Sequence, residues 1–242
     1  MTVTASPVPI LRDNYAWLLR DSGSGATAIV DPAEAEPVIE ALEKAGGRLD
    51  VILLTHHHAD HIAGVDDVRA RFPGCKVVGA AADRHRLPAL DEAVKEGDTV
   101  RLGDAEGRVI ETPGHTIGQI NFFFPDGAVL LSGDTLFSLG CGRLIEGTAA
   151  DMFASLRKLA ALPPETLVCC GHEYTESNAR FALSVDPDNH ALHAFVAKVE
   201  QLRGAGQPSV PSVLGEELKA NPFLLAPDVA SFAAVRTKKD KF

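Results

Sequence analysis

The sequence has no apolar run approaching the roughly 20 residues that a bilayer-spanning helix needs, and no basic segment followed by an apolar stretch at its start. Neither a membrane span nor a cleaved secretory leader is expected. Cysteine is sparse: Cys75, Cys141, Cys169 and Cys170 form neither a C-x-x-C pair nor the dense spacing of a disulfide framework, so a reducing, cytoplasmic compartment is expected. Positive charge is not in excess either. The formal net charge of -10 argues against nucleic acid as a partner, because phosphate recognition needs a basic surface. Internal repeats are missing, as is low complexity outside a basic tail. The 242 residues can bury a substantial core, as one large domain or one domain with an appendage.

Against these absences stands one dense cluster. Thr55-His56-His57-His58-Ala59-Asp60-His61 packs four histidines and a carboxylate into six positions, directly after the apolar run Val51-Ile52-Leu53-Leu54. Imidazole nitrogen and carboxylate oxygen are donors that divalent metals prefer, and crowding them at a strand's end serves no packing purpose. An expression-tag remnant would lie at a terminus. Alternate residues of an extended segment point the same way, so His56 and His58 can share one metal while His57 faces elsewhere. Asp60 and His61, where the chain must turn, can reach a second metal.

One loop cannot fill two coordination spheres, and the remaining donors occur in the same kind of place. Three further apolar runs stop at a glycine and are followed at once by His115, Asp134 and His172. In a layered α/β fold, loops at one end of the strands gather functional residues. The expected assignment is His56, His58 and His115 on one metal, Asp60, His61 and His172 on the other, and Asp134 bridging, with room left for a water. Zinc is the first expectation, and iron or manganese accept the same donors.

Strands are expected around 15–20, 26–30, 51–55, 76–79, 99–102, 108–111, 120–124, 129–132 and 166–170. Helices are expected near 35–45, 65–71, 81–85 and 151–161. After His172 the pattern turns helical, over 177–184, 191–203, 212–220 and 228–238. The two parts are delimited as 1–172 and 173–242. Cys169 and Cys170 read as small apolar filler. Cys141 sits in a glycine-flanked loop but has no histidine assigned to activate it.

With these residues the chain resembles the metallo-β-lactamase superfamily and, within it, the glyoxalase II (hydroxyacylglutathione hydrolase) family. Leu11-Arg12-Asp13-Asn14-Tyr15, Gly133-Asp134-Thr135-Leu136-Phe137, Gly140-Cys141-Gly142-Arg143, Gly171-His172-Glu173-Tyr174-Thr175 and Asn221-Pro222-Phe223 extend the likeness over nearly the whole length. The resemblance implies an α/β protein, an αββα sandwich with a small all-α C-terminal domain that recognises substrate. It implies hydrolysis of S-(2-hydroxyacyl)glutathione to a 2-hydroxy acid, D-lactate in the family's usual reaction, and glutathione. The nucleophile would be hydroxide bridging the metals, with Asp60 aligning it and Asp134 fixing the metal spacing.

Residues at the family positions of Arg236 and Lys239 hold the glycine carboxylate of glutathione, and those at Arg143 and Tyr174 contact the same tripeptide. Guanidinium forks suit carboxylates. A monomer with this small-molecule substrate is expected. The chain departs from the family at Leu144 and Ile145, where aromatics are common, and at Gln119, where histidine is common; both departures bear on substrate affinity. The alternative is a glutathione persulfide dioxygenase holding a single iron, which the long helical C-terminal region with its basic end disfavours.

Overall fold

The computed structural model describes residues 2–242. The chain forms two compact units, one of Met1–Glu111 with Gly118–Gly133 and the other of Thr112–Ile117 with Asp134–Phe242.

The first unit holds two sheets. In the first sheet, β1 (Val3–Ile10), β2 (Asn14–Asp21) and β3 (Thr27–Val30) form an antiparallel meander. After helix α1 (Ala35–Lys44), the chain adds β4 (Val51–Leu53). The two short helices α2 (Ala59–Ile62) and α3 (Val65–Arg71) precede β5 (Lys76–Ala80) and β6 (Glu92–Val94). From β3 to β6 every pairing is parallel. β4 lies between two parallel neighbours with all three residues buried, which is why its sequence is an unbroken apolar run rather than an alternation.

Helix α1 turns Val38 and Leu42, four residues apart, into the core. It stops at Gly46 and Gly47, whose φ angles of 115° and 71° are the left-handed values glycine supplies at a helix end. Val38 and Leu42 meet Val65, Val68 and Phe72 of the α3 region over Ile29, Ile52 and Val77 of the first sheet.

The second sheet of this unit is antiparallel: β7 (Thr99–Leu102), β8 (Ala105–Glu111), β9 (Ile120–Phe124) and β10 (Val129–Gly133). β9 and β10 are buried along their full lengths.

The second unit begins its strands with a small hairpin, β11 (Leu136–Phe137) and β12 (Gly140–Cys141). Helix α4 (Ala149–Ala160) starts two residues earlier than its apolar pattern suggests. Thr148 caps it: the Thr148 hydroxyl accepts from Asp151 N while Asp151 accepts from Thr148 N. Strand β13 (Leu167–Cys170) precedes α5 (Thr175–Val185) and α6 (His190–Gly204). The helix expected from residue 212 is shorter, because Ser212–Val213 forms strand β14 against Leu167 and Val168 and α7 starts at Leu214, running to Ala220. The short α8 (Pro222–Leu225) and α9 (Val229–Asp240) complete the unit. Its helical core is Ala179, Ala182, Leu192, Phe195, Val199 and Ala220 with Leu139. The helix expected at 81–85 is only a 3-10 turn over Ala81–Asp83.

Candidate active site

In the first unit the histidine segment is fixed by one buried carboxylate. Asp31, at the end of β3, has φ 51°, a left-handed backbone that aspartate tolerates better than most residues. Its Oδ1 accepts from Thr55 N at 2.8 Å, and its Oδ2 accepts from Thr55 Oγ1 at 2.6 Å and lies 2.9 Å from His61 Nδ1. The Thr55 hydroxyl proton is therefore committed to Asp31. Its oxygen, 3.1 Å from His56 Nδ1, accepts from that ring. In both histidines the nitrogen bonded to protein is Nδ1, which leaves Nε2 as the lone-pair donor, the arrangement that orients imidazoles around metals.

The donors converge accordingly. His56 Nε2 lies 3.1 Å from His58 Nδ1, and His61 Nε2 faces Asp60 Oδ2 at 4.0 Å. Asn14 Nδ2 donates to Asp60 Oδ2 and to its carbonyl, each at 3.1 Å. Donor atoms of Asp31, His56 and His61 lie within 4.8 Å of one another, but both Asp31 oxygens already accept, so Asp31 supports the cluster rather than completing it. His57 turns the other way, its Nδ1 3.1 Å from Asp83 Oδ2 and its Nε2 3.3 Å from Arg86 Nη1.

In the second unit Asp134, His115 and His172 converge. His115 donates from Nδ1 to the Arg143 carbonyl at 2.9 Å, which again frees Nε2. That nitrogen is 3.5 Å, and His172 Nε2 is 3.4 Å, from the same atom, Asp134 Oδ2. Both distances exceed the usual 2.7–3.2 Å of an N–H···O bond, as fits nitrogens and a carboxylate placed to share cations rather than to bond one another. Gly142 makes this approach feasible, since a Cβ there would sit 2.0 Å from the Asp134 carbonyl. Tyr174 stacks on His172 with centroids 4.5 Å apart and planes at 10°.

His115 and Asp134 open into a cavity of about 660 Å³ in the same unit, whose walls carry Arg143, Tyr174, Arg236 and Lys239. All four residues expected to bind substrate thus line one space. Arg180 lines it too; the sequence signal it left was its place on α5, three residues after Ser177. Arg236 is buried, donates from Nη1 to the Cys141 carbonyl at 2.9 Å and pairs with Asp240 at 2.9 Å. Lys239 Nζ donates to the Ser177 carbonyl at 3.2 Å. Burial first, then the charges of Arg236, Arg180 and Arg143, push the Lys239 ammonium down to about 8.

The other candidates fall outside the chemistry. Cys141 lines the cavity, but burial pushes its thiol up to about 11, too high for a nucleophile at neutral pH. Gln119 is fully buried in the first unit and donates to the Ser132 carbonyl at 3.3 Å. Leu144 is half-buried, and Ile145 is 59% exposed.

A buried acid that the motifs did not single out supports the cavity wall. Glu217 on α7 accepts from Leu139 N at 2.9 Å and from Asn221 Nδ2 at 3.0 Å. Asn221 Nδ2 also donates to the Phe137 and Gly140 carbonyls. Together they tie down the β11–β12 hairpin that presents Phe137 and Cys141. Burial pushes the Glu217 carboxyl up to about 7.

Residues 10–172 match the family model described as the metallo-beta-lactamase superfamily, and residues 173–242 match the one described as the hydroxyacylglutathione hydrolase C-terminus. A curated relative from Acidiphilium cryptum, named hydroxyacylglutathione hydrolase, is 58% identical over 99% of this chain and 97% of its own. Among solved structures, ETHE1 from Myxococcus xanthus superposes with a TM-score of 0.72 at 26% identity, over 98% of this chain and 90% of that one. TTHA1623, solved in a di-iron-bound form, gives 0.66 at 27% identity, over 90% and 100%. The fold and the His/Asp donor sets define a metallo-β-lactamase-type protein suited to divalent metals. The chain belongs to the metallo-beta-lactamase superfamily and, within it, to the hydroxyacylglutathione hydrolase family.

Proposed function

We propose that the protein is a metal-dependent thioester hydrolase that cleaves S-(2-hydroxyacyl)glutathione, S-D-lactoylglutathione above all, to a 2-hydroxy acid and glutathione, the hydrolytic step of methylglyoxal detoxification. The observation that carries this reading is the cation-lined cavity with His115 and Asp134 in its wall. It is supported by a relative at 58% identity that bears the enzyme's name.

The donor chemistry fits two divalent metals, zinc first. His56, His58 and His115 would hold one, Asp60, His61 and His172 the other, and Asp134 both. When bound, such metals make water a nucleophile at neutral pH and polarise a carbonyl. The chain's own residues do the rest. Asp60, steadied by Asn14, accepts a hydrogen bond from the attacking water and holds it in line. Asp31, Thr55 and the Arg143 carbonyl keep His61, His56 and His115 in the tautomers that present Nε2. Arg143, Tyr174, Arg236 and Lys239 bind the tripeptide and so place the thioester. A thiolate leaves readily, so no general acid is needed.

We take residues 1–172 as the catalytic domain and 173–242 as the recognition domain, in a cytoplasmic monomer. All four cysteines are free and buried. Among the described residues no helix is long and apolar enough to cross a membrane.

The test is thiol release from S-D-lactoylglutathione beside the same acyl group on N-acetylcysteamine. Rapid hydrolysis of the glutathione thioester with little of the other is the expected result. Failure on both by protein confirmed to hold metal would overturn the reading.

A further inference from the structure

The four cations of the cavity are not equivalent. Arg236 is engaged with the protein on both sides of its guanidinium, by the Cys141 carbonyl and by Asp240, and it lies over the Phe223 ring at 5.0 Å. Lys239 is held by Ser177, whose carbonyl and hydroxyl take its Nζ at 3.2 and 3.4 Å, and its ammonium lies over the Phe181 and Phe242 rings at 5.2 and 5.5 Å, with no carboxylate paired to it among the described residues. That tether lays Lys239 across helix α5. Arg180 lies three residues after Ser177 on the same helix and therefore on the same face. It is exposed, lines the same cavity, and has no hydrogen bond or ion pair with any described residue.

Lys239 and Arg180 thus line one cavity close enough to act on each other electrostatically, and neither pairs with a carboxylate among the described residues. Burial first, then the charges of Arg236 and Arg180, lowers the Lys239 ammonium. Two adjacent cations held together without a counter-ion are stabilised when an anion bridges them. A guanidinium fork beside a point-charge ammonium matches a carboxylate, whose two oxygens can be shared between them.

We propose that Arg180 and Lys239 form a carboxylate-binding pair that reads the free C-terminal carboxylate of the glutathione moiety, which makes Arg180 a specificity-determining residue of this site. The proposal rests on the glutathione thioester reading above and adds to it a residue outside the expected contact set. Arg236, which lines the same cavity, keeps its place in the expected contact set, and Arg180 is added to it.

The experiment is calorimetric binding of two non-hydrolysable probes, S-methylglutathione and its C-terminal glycinamide analogue, to the wild-type holoenzyme and to its Arg180→Gln and Arg180→Lys variants. Wild type is expected to favour the free carboxylate by about tenfold or more, the usual scale of a charge-assisted hydrogen bond. Arg180→Gln should weaken S-methylglutathione about tenfold and leave the amide unchanged, while Arg180→Lys restores part of the preference. In turnover of S-D-lactoylglutathione the loss should fall on KM rather than kcat.

Equal weakening of both probes, or of neither, would overturn the proposal, and unchanged melting temperatures exclude misfolding as the cause. Wild type that binds S-methylglutathione with this preference yet hydrolyses no thioester would overturn the reaction and sustain the pair. Wild type that binds neither probe would overturn both.

Discussion

The two halves of the donor set are built by different means. In the first unit His56, His58, Asp60 and His61 come from six consecutive residues, and a side chain, Asp31, orients them. In the second, His115, Asp134 and His172 come from three separate loops, and His115 is oriented by a backbone carbonyl, that of Arg143. A contiguous set can be held by one strand end and one carboxylate, because the intervening chain is too short to wander. A dispersed set needs turns that hold their shape without help from a replaceable side chain, hence Gly142 packed against the Asp134 carbonyl. The first half is vulnerable at a single side chain outside the donors; the second is vulnerable mainly at the donors themselves.

Removing Asp134 should break the second half outright. Asp134→Ala is expected to lose bound metal and to lower thiol release by more than the roughly 10–100-fold that follows loss of a residue supporting a metal ligand. Elemental analysis beside the activity assay checks both, and retention of full metal and activity would sink the bridging assignment. Chelation of the wild type should likewise abolish thiol release, with recovery on adding back zinc.

Asp31→Ala sharpens the contrast, because the analogous support of His115 cannot be mutated away. It should cost about 10–100-fold in metal affinity or activity, with Asp31→Asn falling less because it keeps the left-handed backbone and one acceptor. Competition with a chelator of known affinity measures this. Equal metal affinity in wild type and Asp31→Ala would remove the distinction between the halves.

Two smaller effects depend on pH. Lys239 loses its proton from about pH 8 upward, so KM for the glutathione thioester should rise through that range and stay flatter in Lys239→Arg, whose guanidinium remains charged. A parallel rise in both proteins would assign the pH effect elsewhere.

Glu217 acts on stability. Burial raises its folded carboxyl from the ordinary 4.5 to about 7, so the folded state holds a proton that the unfolded chain releases. The stabilisation is complete below about pH 4.5 and is lost as pH rises through 7. Glu217→Gln, a neutral mimic of the protonated acid, should melt above wild type at pH 8, the gap closing toward pH 5. Melting curves of the two proteins at both pH values decide it.

Much of the architecture was legible because its causes are local. Val51-Ile52-Leu53 reads as a buried strand from apolarity alone, and the Val38–Leu42 spacing reads as a helix face. Where reading fell short, a distant partner decided. β1 was not anticipated, since its exposed residues alternate with buried ones only once it pairs with β2. Ser212–Val213 joined a strand because Leu167 and Val168 were there to pair with. Asp31 gave no sign of its task, being a single acid after β3, and Glu217 looked like one more charged residue on a helical pattern.

By itself the sequence determined which residues are suited to metals and which end of the chain carries cations, because donor type, spacing and charge belong to the covalent chain. Only the tertiary structure decided which nitrogen each histidine presents, that Cys141 is kept an inert thiol, and that Arg180 stands in the cavity beside Lys239. Tautomer, thiol acidity and the company of charges are set by desolvation and by hydrogen bonds to groups far away in the chain, and these exist only once it has folded.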